Sequence, residues 1–386
     1  ERVKDAADTL SAFVKRQPLH AQAPLMQARV IEIYAAAGFD TLALSAKKDH
    51  VVRYGVDSEF RRANPSGWQR AQPLVKTNLV ELARYHHALA QKSKQTAEVQ
   101  EAIRWYDLLL TSFPDDAEVP ANRFLLAELL FDDKRFERAA KEFNTVAYPA
   151  ATTRPAAFAR SADAGYSALL ATTELEKAGA DKAALRRQSV QSGLLFAKTF
   201  PSDPRVGSVL TNAAEQLLSL KDGEQAVQVA QQALALTPAP APELRRVAWT
   251  VIAIQSFDTG AFAPAEAAYG EVLALTADKA PGRNELVERQ AAAIYKQGEA
   301  AREAGQAREA VGHFARIATL GALPGASAVR ASALLDTAVA LIGLKDWDAA
   351  ARTLEDFRRQ HPNHPMQADV APKLALAYME GGKPAL

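Results

Sequence analysis

A recurring helical pattern of small and large apolar positions runs along the chain. In residues 136–143 a small residue, Ala139, is followed four places later by a large one, Phe143, so that both lie on one face of a helix. The same arrangement returns along the chain, and four of its eight intervals are 37 to 39 residues long. The small residues of this pattern, which we take as helix anchors, are Ala6, Ala43, Ala102, Ala139, Ser189, Ala226, Ala265, Ala310 and Ala350.

Two features at fixed distances from the anchors predict that the helices come in pairs. A Pro or Gly that would end the helix stands twelve residues after six of the anchors. Another small residue stands twelve residues before six of them, in the preceding helix, and small residues on both helices permit a close antiparallel crossing. An irregular helical bundle is the alternative. The helix-ending residues are Pro18, Gly55, Pro114, Pro201, Pro238 and Pro362, and the preceding small residues are Ala90, Ala127, Ala214, Ala253, Gly298 and Ala338.

The anchors also predict where the second helix of each pair lies. First helices should fill the gaps between them, the last near 366–380, and the polar, helix-favouring insertion at 174–185 should lengthen two helices. The predicted second helices are 3–16, 40–53, 96–112, 135–147, 181–199, 223–236, 262–276, 306–319 and 346–359.

Residues 102–116 and 122–136 carry the arrangement most clearly, and it resembles the tetratricopeptide repeat. The likeness extends over nearly the whole chain. Its clearest stretch, residues 102–136, resembles the repeats of bacterial outer-membrane assembly lipoproteins and of the Tol-Pal-associated periplasmic coordinator. It implies an all-α fold, a right-handed α-solenoid of antiparallel helix pairs, and a scaffold role in the bacterial envelope. The repeats are longer than the usual ~34 residues, and most lack the aromatic residue near the start of the first helix. The helix-packing anchors under this resemblance are Ala102, Ala139, Ala226, Ala265, Ala310, Ala350, Ala127 and Gly298.

Breaks in the register predict two domains. We expect an N-terminal lobe over 1–150, with an inserted loop at 56–73 that contains Asn-Pro and Ser-Gly turn signals, and a C-terminal array over 151–386. The chain would open on a second helix and close on a first one, so we also expect that its ends are cut from a longer array.

Composition narrows the function classes. Apolar residues make up 48% of the chain and charged residues 24%, as in folded proteins, and the net charge of +1 argues against a nucleic-acid partner. Absence of Cys excludes disulfides and thiolate metal sites, and no apolar run is long enough to span a membrane, so association with one would be peripheral at most. The chain does not begin with Met, and we expect that a targeting segment has been removed.

Residues able to carry chemistry are sparse. His361 and His364 have a spacing that can ligate a metal, but two prolines place them in a turn. His86 and His87 are adjacent on a helix and point about 100° apart, so we expect one of them to be buried and hydrogen-bonded. No catalytic triad, phosphate loop or paired carboxylates can be recognised, so we predict no enzyme activity, cofactor or metal site.

The predicted partner-binding residues lie near the N-terminus. Arg and aromatic residues are favoured in binding hot spots. Tyr34, Tyr54 and Tyr85 could equally serve core packing, whereas a loop with Trp and several Arg should be exposed. The predicted set is Arg53, Arg61, Arg62, Trp68, Arg70 and Arg84.

These observations predict a non-catalytic scaffold or adaptor, periplasmic or associated with the outer membrane. It would bind a partner protein in a bacterial envelope assembly, secretion or proteolytic-control system. The alternative is a periplasmic scaffold of an exopolysaccharide export machine that contacts the polysaccharide or its synthase.

Overall fold

The computed structural model describes residues 2–149, 158–179, 181–320 and 327–383. Their regular secondary structure is entirely α-helical, which confirms the predicted all-α fold class. The helices of the described residues are α1 (Arg2–Arg16), α2 (Ala23–Ala36), α3 (Asp40–Tyr54), α4 (Glu59–Ala63), α5 (Pro65–Ser93), α6 (Thr96–Ser112), α7 (Val119–Asp132), α8 (Phe136–Ala147), α9 (Ser161–Ala178), α10 (Lys182–Thr199), α11 (Val206–Ser219), α12 (Gly223–Leu234), α13 (Pro242–Asp258), α14 (Phe262–Ala274), α15 (Arg283–Glu303), α16 (Ala307–Thr319), α17 (Ala328–Gly343), α18 (Trp347–Gln360) and α19 (Gln367–Glu380).

Seven first helices of the described residues, α2, α5, α7, α11, α13, α15 and α17, each pack as an antiparallel pair with the second helix that follows. Neighbouring first helices, such as α15 and α17, also touch. The predicted second helices correspond to α1, α3, α6, α8, α10, α12, α14, α16 and α18, and every predicted bound lies within two residues of the observed one. The prediction of helix pairs is therefore confirmed.

A residue with left-handed backbone reverses the chain between the two helices of a pair. Gly260, with φ of 78°, occupies this position between α13 and α14, and Lys221, with φ of 62°, occupies it between α11 and α12. Gly adopts this conformation without steric cost, whereas a side chain such as that of Lys is strained there. Lys221 therefore stores strain in its turn.

The predicted loop at 56–73 is wrong, because most of this segment is helical. Ser58 caps α4 by accepting a hydrogen bond from the Arg61 backbone N–H at 3.2 Å. Asn64 caps α5 by accepting one from the Gly67 backbone N–H at 3.0 Å, and Pro65 is the first residue of α5. Asn before Pro indicates a turn, but it is equally the combination that begins a helix, since Asn is a strong N-cap and Pro is tolerated at the first position.

The structure divides into two compact units after Leu185. We call residues up to Leu185 unit 1 and residues from Arg186 onward unit 2. The domain boundary predicted at 150 lies outside the described residues. The insertion at 174–185 lengthens two helices as predicted, since α9 and α10 have 18 residues each whereas α7 has 14.

The anchor alanines lie at the centres of the helix contacts. Ala127 and Ala139 in unit 1 are fully buried, as are the anchors at 102, 226, 265, 310 and 350. Ala6 is exposed whereas the next residue of α1, Ala7, is fully buried, so the first anchor was placed one residue too early. Gly298 of α15 shows why a small residue is needed, because a Cβ at this position would collide with the Phe314 ring of α16.

Candidate partner-binding groove

Trp68, the aromatic centre of the predicted partner-binding set, is a packing residue. Its exposed fraction is only 9%, and its indole Nε1 donates a hydrogen bond to the Tyr54 carbonyl at 3.1 Å. Arg61 covers the ring, with its Cζ 4.5 Å from the ring centroid, and donates to the Val56 carbonyl at 2.8 Å. The prediction that Trp68 stands in an exposed loop is wrong, because α5 begins three residues earlier and turns the indole into the core.

The remaining arginines of that set lie on three helices, α3, α4 and α5. Arg53 pairs with Asp49 of the same helix at 3.3 Å, and Arg62 is exposed on α4. Arg70 and Arg84 are exposed on α5, where fourteen residues correspond to about 21 Å along a helix. Such a spread does not make a compact hot spot.

Three first helices of unit 1, α5, α7 and α9, form an open groove together with the second helix α8. Its volume is about 260 Å³, which is below the roughly 300–1,000 Å³ of small-molecule sites and is suited to one or two side chains of a partner. We call it the unit 1 groove. Its lining residues come from α5, α7, α8 and α9, and they are Gln91, Glu128, Phe131, Asp132, Phe143, Ser167 and Leu170.

Helix periodicity in α7 explains why this helix supplies much of the groove. Leu126, Ala127 and Leu130 are fully buried and hold α7 in the core. Glu128 and Asp132 are four residues apart, so both project from one side of the helix into the groove. One side of α7 thus packs while the other presents carboxylates.

The groove carries negative charge beside an apolar wall. Glu128 is paired with Arg160 at 3.3 Å, and the Arg160 guanidinium lies 3.9 Å from the centroid of the Phe124 ring. Asp132 is exposed and has no ion pair with any residue that the structure describes. Leu170 leaves 42% of its surface exposed, which is a large fraction for a leucine in a packed array.

The two adjacent histidines of α5 are buried beside the groove. His86 Nδ1 lies 2.6 Å from a Glu98 carboxylate oxygen, and His87 Nδ1 lies 3.0 Å from the Tyr106 hydroxyl. Burial lowers the pKa of His87, and the charge of Asp132 raises it by less, so the net change is a lowering. We expected one of the two histidines to be buried and hydrogen-bonded, and both His86 and His87 are.

The other histidine motif, His361 and His364, lies in a turn, as predicted. His361 is buried, the His364 ring meets it edge to face with ring centroids 6.1 Å apart, and both rings pack against Phe357. No cluster of three His, Asp, Glu or Cys side chains suited to a metal occurs among the described residues. Their role in this structure is packing.

The lining residues of the groove were missed by sequence reasoning because they come from separate helix pairs. A partial signal exists in Glu128 and Asp132, which lie on the side of α7 away from its buried residues, and in Phe131, which follows the anchor Ala127 by one turn. The exposed Leu170 cannot be distinguished in the sequence from the buried leucine beside it, Leu169.

Residues 292–320 and 332–364 match the family model of the tetratricopeptide repeat. These stretches cover most of α15 with α16, and most of α17 with α18, so unit 2 carries tetratricopeptide repeats. Repeats of this kind generally build non-catalytic surfaces that bind other proteins. None of the curated proteins matches the chain.

Solved structures resemble the chain in its repeat architecture. A tetratricopeptide repeat protein from Parabacteroides merdae is 11% identical, with 78% of this chain and 98% of that chain covered and a TM-score of 0.33. The TPR2AB domain of yeast Sti1, solved as a complex with pHSP90, is 16% identical, with 77% and 98% covered and a TM-score of 0.35. Pseudomonas aeruginosa PilF is 17% identical, with 79% and 98% covered and a TM-score of 0.25. Such low scores carry no argument about function.

No helix within the described ranges combines the length and the apolar character needed to cross a membrane.

Proposed function

We propose that this chain is a non-catalytic scaffold that holds a segment of a partner protein in the unit 1 groove. The groove itself carries the proposal, because it is open, presents an exposed leucine and two carboxylates, and is too small for most cofactors. The tetratricopeptide repeats of unit 2 support it, since such repeats serve protein interaction.

We further propose that the partner belongs to a bacterial envelope system for assembly, secretion or proteolytic control, with the scaffold in the periplasm or at the outer membrane. Support comes from the resemblance of residues 102–136 to the repeats of envelope proteins. The polysaccharide alternative depended on exposed aromatic and arginine side chains, and no observation favours it now that Trp68 is buried.

Site-specific photocrosslinking in cells of the source organism tests the groove. A photoreactive amino acid replaces Ser167, which lines the groove, and in a matched control it replaces Glu137, which is exposed on α8 and does not line it. We expect a discrete crosslinked partner from position 167 that is absent from position 137, and weaker crosslinking when Leu170→Ser is added. Identical crosslinks from both positions, or none from position 167, would refute the proposal.

Fractionation of the full-length protein tests the location separately. Recovery with the periplasmic or outer-membrane fraction is expected. Recovery with cytoplasmic markers alone would refute the envelope assignment and leave the groove proposal standing.

A further inference from the structure

We infer that the unit 1 groove selects a basic side chain, Lys or Arg, within an apolar and extended segment of the partner protein. This inference rests on the proposed function, because it names the chemistry of the segment that the same groove would hold. Its basis is the charge, the position and the surroundings of the two carboxylates of α7.

The charge of the groove is complementary to a cation. Glu128 and Asp132 lie one turn apart, about 6 Å along the helix axis. Glu128 already shares its charge with Arg160, whereas Asp132 has no ion pair in the part of the chain that the structure describes. A cation gains most beside Asp132, and the Asp132 carboxylate would repel an acidic segment.

Asp132 also stands where an acidic residue weakens the helix. It is the last residue of α7, and the last turn of this helix contains no basic side chain. The helix dipole places negative partial charge at this end, so a carboxylate here is unfavourable. A local rule of helix stability is thus broken at the groove, and such departures are expected where a residue serves binding.

The neighbouring surface matches the rest of a basic side chain. Phe131 and Leu170 offer apolar contact to methylene groups, and Lys and Arg commonly pack their stems on such surface while the charged head stays at a polar site. Gln91 from α5 and Ser167 from α9 flank the carboxylates and can hydrogen-bond the backbone of an extended segment. These contacts favour an apolar segment with a single inserted cation.

Titration calorimetry of the full chain with two defined peptides tests this inference. The probes are acetylated, amidated peptides of sequence GLKLGLKLG and GLELGLELG, which differ only in having Lys or Glu at two positions. We expect the lysine peptide to bind and the glutamate peptide not to bind. Equal binding of both peptides would overturn the inference. Loss of lysine-peptide binding in EDTA would also overturn it, because it would show that a metal ion bound to the carboxylates is needed for binding.

Matched variants locate the binding site. Asp132→Asn should weaken binding of the lysine peptide about tenfold, as expected for loss of a charged hydrogen-bond partner. Asp115→Asn removes the same charge from an exposed turn of unit 1, and it should leave the affinity within about twofold. Unchanged affinity in Asp132→Asn, or equal weakening in both variants, would overturn the inference.

Two further measurements separate the possible failures. Asp132→Asn should keep or raise the melting temperature, so weaker binding with a lower melting temperature would indicate a structural role for Asp132 and overturn the inference. If crosslinking from position 167 depends on Leu170 while Asp132→Asn leaves it unchanged, the scaffold proposal stands and the basic-segment inference fails.

Discussion

Protonation of His50 should destabilise unit 1 in acid. His50 is fully buried, and both of its ring nitrogens are engaged, with Nε2 3.2 Å from the Pro24 carbonyl and Nδ1 3.1 Å from Asn78 Nδ2. Nε2–H donates to the carbonyl and Nδ1 accepts from the Asn78 amide, which is the arrangement of a neutral imidazole. A proton on Nδ1 would face the Asn78 amide hydrogens.

The size of the effect follows from the pKa. Burial lowers the pKa of His50 from 6.5 to about 4, and the Pro24 hydrogen bond opposes this only in part. Because the folded pKa lies below the unfolded one, the neutral ring favours folding above pH 6.5, and this contribution is lost as the pH falls from 6.5 toward 4. A shift of this size corresponds to about 3 kcal/mol, most of which should be lost between pH 7.5 and 4.5.

Denaturant unfolding of the full chain at pH 7.5 and 4.5 measures this loss, with the parent compared to His50→Gln. Replacing Trp249 and Trp347 with Phe in both proteins leaves Trp68 and Trp105, so that the fluorescence reports on unit 1 alone. Whatever its stability at pH 7.5, the variant should lose about 2–3 kcal/mol less than the parent on acidification. Equal losses in the two proteins would refute the assignment of a neutral, strongly shifted His50.

Three other predictions concern packing and strain in unit 2. Ala265→Leu should destabilise by about 1–3 kcal/mol through overpacking, whereas Ala267→Leu on the exposed side of the same helix should change stability by less than about 0.5 kcal/mol; equal effects in calorimetry would contradict the anchor assignment. Lys221→Gly should stabilise by about 0.5–1 kcal/mol because it relieves a left-handed backbone, and a lower denaturation midpoint would contradict this. Tyr295→Phe should cost about 1.5–3 kcal/mol in denaturant unfolding, since the hydroxyl donates to the Asp336 carboxylate at 2.5 Å, and an unchanged midpoint would show that the bond contributes nothing.

Helix pairing could be predicted from the sequence because it depends on local and periodic signals. An anchor such as Ala226 and the Pro238 that follows it are both in one short segment, and each has a direct steric meaning. The loop predicted around Asn64 and Pro65 was wrong for the opposite reason, since these two residues can either end one helix or begin the next. The packing of the buried Phe60 and Trp68 selects the helical outcome.

The groove could not be predicted, because its prediction requires knowing which distant residues meet, and a single sequence does not contain this information. Gln91, Asp132 and Leu170 are separated by about forty residues at each step, and they meet only because α5, α7 and α9 are successive first helices. Residue type alone also cannot distinguish Arg61, which covers the Trp68 indole, from an arginine without such a contact, and partner binding by the arginine set stays a prediction.

The residue tolerated at position 298 depends on the size of the side chain at position 314, and the reverse also holds. Any side chain at 298 would overlap the Phe314 ring. No substitution of Gly298 is therefore tolerated as long as position 314 is Phe. Replacement of Phe314 with a smaller apolar residue would open space for Ala at 298. Sequence drift at this contact therefore proceeds by paired substitutions, and a damaging change at one position can be suppressed by a second change at the other.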